Sequence, residues 1–91
     1  MMTPEEVSEY NEDALIADGL DEAIIGVAER INLGPVAAYS VKKIYEILMT
    51  SDGMTYEEAI EFFEHNIKGA WMGEHAPVYV CGILLAMVDG N

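Results

Sequence analysis

Positive charge is what this sequence most lacks. Four Lys and Arg stand against 17 Asp and Glu, a formal net charge of −13 over 91 residues. Charged residues total 23%, an ordinary share, so cations are missing rather than charge added. Four bases form no basic footprint, which argues against direct nucleic-acid binding. The same field repels anionic lipid and attracts basic surfaces. Cysteine is nearly absent too: Cys81 is alone, so no internal disulfide forms, and a reducing compartment fits better than a secreted scaffold. Long apolar runs are missing. The longest, Val78 to Val88, is 11 residues, against about 20 for a membrane-spanning helix. The start, MMTPEEVSEYNEDA, has neither a basic nor an apolar stretch, unlike a secretory signal.

Hydrophobic residues make up 52% of the chain, a folding composition. The length suits a single domain, residues 1–91, divided into an acidic N-terminal helix and loop (1–21) and an α+β core (22–91). Thr3-Pro4-Glu5-Glu6 is a helix start: Thr3 caps, Pro4 suits the first helical position and Glu6 closes a capping box. The expected helix runs to about Ala17. On it Val7, Tyr10 and Ala14 share one side, while Glu5, Glu6, Glu9, Glu12 and Asp13 fall within about 120° on the other. Ala23–Ile31 reads as a strand in which Gly26 marks a bulge or a close backbone approach. Asn32–Pro35 reads as a turn and Val36–Ser40 as a returning strand, a hairpin with a loop of about four residues. Ser40 caps a helix from Val41 to about Thr50, whose buried face is Val41, Ile44, Tyr45 and Leu48. Thr55 to Glu58 is a second capping box. Its helix should reach Ile67 or Lys68, with Tyr56, Ala59, Ile60, Phe62, Phe63 and Ile67 on the apolar side and Glu57, Glu58, Glu61 and Glu64 opposite. Val78–Val88 follows as a buried strand, or a strand entering a short helix. The order α-β-β-α-α-β predicts an α+β fold: a small antiparallel sheet of about three strands with two or three helices on one face.

Catalytic and metal signals are sparse. His65 shares a helix side with Glu58 and Glu61, and His75 with Glu74 would have to complete a metal set from the loop, but no paired ligand motif is present. No metal or cofactor is expected. Cys81 lies in an apolar run, where thiols are usually inert packing residues. Gly69–Glu74 has no phosphate-binding spacing. The chain is therefore expected not to be an enzyme. Trp71 and Met72, in a Gly-bounded loop, either close the core or anchor a partner, since Trp is favoured at binding hot spots.

Asp52–Val80, DGMTYEEAIEFFEHNIKGAWMGEHAPVYV, resembles a segment of small phage and prophage proteins. The shared pattern is D-G-M, a Ser or Thr cap, E-E-A, an aromatic pair, then G-A, an aromatic and G-E before a Pro and a strand. Ile24–Ser40 is similar in layout, so the resemblance spans about residues 22 to 80. His65 stands where the pattern has an aromatic, and Ala76 where it has Thr. The resemblance implies a phage-type accessory protein in a bacterial cytoplasm, of a kind that often blocks host restriction or CRISPR machinery.

Charge density favours the same direction. Duplex DNA carries one charge per about 1.7 Å of axis. Five carboxylates from Glu5 to Asp13 on a helix would give about one per 2.4 Å over roughly 12 Å. The expected function is an acidic inhibitor that mimics DNA and binds a basic host protein or nucleoprotein complex through Glu5, Glu6, Glu9, Glu12, Asp13, Glu57, Glu58, Glu61 and Glu64. The alternative is an oligomeric protein sequestering a small ligand or nucleotide at the Trp71 loop, which for an anionic ligand requires Arg30, Lys42, Lys43 and Lys68 to converge. The oligomeric state is open, a homodimer included.

Overall fold

The computed structural model describes residues 2–70 and 73–82. Helix α1 (Pro4–Tyr10) leads through an irregular segment and one 3-10 turn (Asp21–Ala23) to strands β1 (Ile24–Arg30) and β2 (Leu33–Ser40). Helices α2 (Val41–Ser51) and α3 (Tyr56–Phe62) follow, then a π-helical continuation of α3 (Phe63–Ile67), then strand β3 (Val78–Val80). The chain is α+β in the expected order α-β-β-α-α-β. Among the described residues no helix is long and apolar enough to cross a membrane. Trp71 and Met72, and the part of the apolar run beyond Gly82, lie outside the described residues.

The three strands lie in the order β1-β2-β3. β1 and β2 are antiparallel, but β2 and β3 are parallel, pairing Ala38 with Val78 and Ser40 with Val80. This corrects the all-antiparallel expectation. Two helices intervene between β2 and β3, and such a helical crossover returns the chain in the same direction. The loop between β1 and β2 is Ile31-Asn32 alone, because Arg30 pairs with Leu33. Asn32 takes the left-handed conformation at φ 66°, which Asn tolerates better than most residues. Gly34 and Pro35 thus belong to β2 rather than to a turn. Proline is admissible there because β3 pairs only with Ala38–Ser40, leaving β2 an edge at Pro35. The register of β1 shifts between Ile24 and Gly26, as the glycine suggested.

Helix α1 ends seven residues before Ala17. Asn11 is extended (φ −160°). Its Nδ2 donates to the Pro35 carbonyl at 2.8 Å and its Oδ1 accepts from Asp13 N–H at 3.0 Å. Asparagine competes with helix by such local bonds, and here a tertiary bond adds to it. Residues 11–17 then form a strap. Leu15 N–H donates to the His75 carbonyl at 3.0 Å, and the buried Ala17 N–H to the Tyr39 hydroxyl at 2.8 Å. A Cβ at Gly34 would meet Asn11 Nδ2 at 3.0 Å, so glycine lets the strap approach.

One core joins these pieces. Ala37 and Tyr39, alternate residues on one face of β2, share a cluster with Val7, Ile44, Leu48, Ala59, Phe63 and Ile67 from the helices. Aromatic rings run through it in edge-to-face and tilted contacts, from Tyr39 to Tyr79 (6.0 Å between centroids), Phe63 (5.2 Å), Tyr45 (5.8 Å) and Tyr56 (5.7 Å). Helix α3 does not bury its whole expected side: Tyr56 is 55% and Phe62 37% exposed. Its core positions are Ala59, Phe63 and Ile67, spaced four and four. At 100° per residue each such step drifts about 40° on an α-helix. The wider π turn, in which Lys68 N–H reaches back to the Phe63 carbonyl at 2.8 Å, removes part of that drift and keeps Ile67 inward.

Two outcomes are expected. Tyr39→Phe leaves the Ala17 N–H without its partner and should cost about 1–3 kcal/mol in urea unfolding. Burial raises the Tyr39 pKa above the ordinary tyrosine value against the opposing Ala17 hydrogen bond, and burial raises that of Tyr79. The neutral hydroxyls are therefore favoured in the folded state. Their contribution is complete below about pH 10 and is lost as pH rises through the higher folded values, so alkaline unfolding should be shallower in Tyr39→Phe. In a second test, Gly34→Ala should lose about 1–3 kcal/mol through crowding, and much less in an Asn11→Ala background. Strictly additive losses would rule out the close approach as the constraint.

Candidate functional site

Both acidic rows begin at a capping box. Thr3 N–H donates to Glu6 Oε1 and Thr55 N–H to Glu58 Oε1, each at 2.8 Å, while the two threonine hydroxyls accept from Glu6 and Glu58 N–H at 3.2 and 3.1 Å. These pairs fix where each helix starts and so which carboxylates share a side. They also commit Glu6 and Glu58 to structure. All nine acids of the expected partner surface are exposed, but they do not form the expected pair of unbroken helical rows. Glu5, Glu6 and Glu9 are on α1, whereas Glu12 and Asp13 lie in the turn after it. The continuous 12 Å row thus becomes a helical triplet and a separate pair, because Asn11 leaves the helix. Glu57, Glu58 and Glu61 stand on α3, and Glu64 in the π segment pairs with Lys68 at 3.5 Å. α1 packs on β1 and β2 and α3 on α2, so the two rows ride on different parts of the fold.

Little neutralises them. Lys68–Glu64 is the one Lys or Arg ion pair among the described residues. Arg30 gives its guanidinium to backbone instead: Nε and Nη2 donate to the Gly34 carbonyl at 3.1 and 2.6 Å, and Nη2 also to the Glu74 carbonyl. It ties the hairpin end to the loop before β3. Lys42 and Lys43 are in the first turn of α2.

The structure adds a feature absent from the sequence reading. A cavity of about 590 Å3 lies between the strap, the end of α2 and the π segment, lined by Ile16, Leu20, Ile47 and Ile67 with Asp18 and Asn66. A second, of about 570 Å3, lies against Met54, Glu58, Glu61 and His65. Asp52, Phe62 and Asn66 line both, so the two adjoin at these side chains as neighbouring halves of a groove. Its lining mixes apolar side chains, Ile16, Ile47, Met54 and Phe62 among them, with four exposed carboxylates, of Asp18, Asp52, Glu58 and Glu61, and neither cavity is lined by Lys or Arg. Glu58 and Glu61 were among the expected residues; Asp18, Asp52, Phe62 and Asn66 were not. Phe62 and Phe63 lie 100° apart on the helix, and the core takes Phe63 while Phe62 stays 37% exposed.

The groove is not the nucleotide pocket of the alternative reading, since Arg30, Lys42, Lys43 and Lys68 line neither cavity. Among the described residues no three His, Cys, Asp or Glu side chains converge as a metal site. His65 borders the groove, while His75 lies at the strap, its Nδ1 3.5 Å from Asn11 Nδ2. Cys81, one residue past the end of β3, is exposed rather than packed. The Trp71–Met72 anchor falls outside the described residues.

Set against known proteins, the chain matches no family model, no curated protein and no solved structure.

Proposed function

We propose that this chain is a non-enzymatic acidic inhibitor of phage or mobile-element origin. It binds the basic nucleic-acid-binding surface of a host defence complex, of the CRISPR or restriction type, in place of the nucleic acid. The observation that carries this reading is the exposed, almost uncompensated carboxylate surface: Glu5, Glu9, Glu12, Asp13, Glu57 and Glu61 make no ion pair with Lys or Arg among the described residues. Such a surface is attracted to the same Lys and Arg side chains that neutralise phosphates. Because the α1 row is broken at Asn11, the mimicry is of local charge density and not of a regular phosphate ladder.

The test is competition with duplex DNA on purified guide-loaded CRISPR effectors and restriction enzymes, measured at 50 and 200 mM salt. Binding should displace DNA and weaken at least tenfold over that range, as expected when a few ion pairs dominate. Glu9→Lys/Glu12→Lys/Asp13→Lys should weaken it by a further tenfold or more with an unchanged circular dichroism spectrum. These three positions avoid the capping carboxylates Glu6 and Glu58. Salt-independent affinity, or full activity of the triple variant, would remove the proposal.

A further inference from the structure

The groove between the strap, α2 and α3 combines features that the charged surface alone does not have. Phe62, 37% exposed, stands where its two halves meet, with Ile47 in one and Met54 in the other. Asp18, Asp52 and Glu61 stand exposed around this apolar surface, and Lys and Arg are absent from its lining. We infer that this groove docks a basic amphipathic segment of a protein partner, one that seats an apolar side chain against Phe62 and sets flanking Lys or Arg against Asp18, Asp52 and Glu61.

Charge complementarity selects this occupant. An anionic or purely apolar ligand would leave the carboxylates facing it without a partner. A metal ion needs a tighter donor set, and the acids do not converge on one point. A second copy of this chain would bring another −13 and few cations of its own. An amphipathic helix is about 10–12 Å across with side chains and presents anchors at i, i+3, i+4 and i+7. Such a ligand uses both halves of the groove, the apolar surface for affinity and the acidic residues for orientation. The inference builds on the proposed function in taking the partner to be a basic protein, but it adds an apolar anchor and a location distinct from the α1 row.

The test uses synthetic 18-residue peptides and the intact protein. The probe has Leu on one helical face and Lys and Arg on the other. Its comparators are the same composition scrambled to abolish the apolar face, and oligolysine of equal charge. The amphipathic peptide should bind at least tenfold more tightly than either comparator. It should shift the amide resonances of Asp18, Asp52 and Asn66 in preference to those of Glu5–Asp13. Phe62→Ala, at a partly exposed position, and Asp18→Asn/Asp52→Asn should each weaken it about tenfold with the circular dichroism spectrum retained. Equal binding of oligolysine, shifts centred on α1, or indifference to both variants would overturn the inference. Failure of the two readings is separable. Peptide binding in the groove without displacement of DNA removes the inhibitor reading alone. DNA displacement that survives Phe62→Ala, together with no preference for the amphipathic peptide, removes the groove alone.

Discussion

The bond on which the rest of the structure depends joins the Tyr39 hydroxyl to the Ala17 amide. Tyr39 is fully buried in the central strand, and a buried hydroxyl without a partner would be costly. Satisfying it draws the strap across the sheet. The same side chain faces Tyr79 across the parallel pairing of β2 with β3, and through Tyr79 it meets Phe63 and the helical layer. One residue thus unites strap, sheet and helices. The groove inherits its geometry from this arrangement, since one wall is the strap held at Ala17 and the opposite wall is the π segment positioned by Phe63 and Ile67.

Local chemistry explains what could be read in advance. Thr3 with Glu6 and Thr55 with Glu58 are capping boxes in sequence and in space, and α2 follows its stripe of Val41, Ile44 and Leu48 from the Ser40 cap. The element order and the bulge near Gly26 were equally legible. The length of α1 was not, because Asn11 leaves the helix to bond Pro35, 24 residues away. No periodicity contains that bond. Strand direction was implied by the two helices between β2 and β3, yet the alternating apolar pattern carries no direction of its own.

The site was legible in its chemistry and less so in its shape. The excess of acids and their exposure follow from residue types and helical spacing. The groove does not, because it sets residues 16–20 against the distant stretch 47–67 and depends on a π turn that core packing favours. Asp18 and Asp52 look like ordinary loop residues until the fold sets them beside Phe62. An acidic protein with an apolar groove offers a partner two kinds of contact, one acting at long range and sensitive to ions, the other short-ranged and dependent on fit.

The Arg30 clamp has a further consequence. Its guanidinium is held by neutral carbonyls of Gly34 and Glu74 rather than by a carboxylate. Dissolved ions weaken charge–charge attraction between exposed groups far more than a short hydrogen bond to a carbonyl dipole. The same ions relax the mutual repulsion of the surface acids. Brine therefore leaves the hairpin fastened and eases the crowding of like charges around it, so any contact made through those acids would answer to ionic strength in the opposite direction to the fold itself.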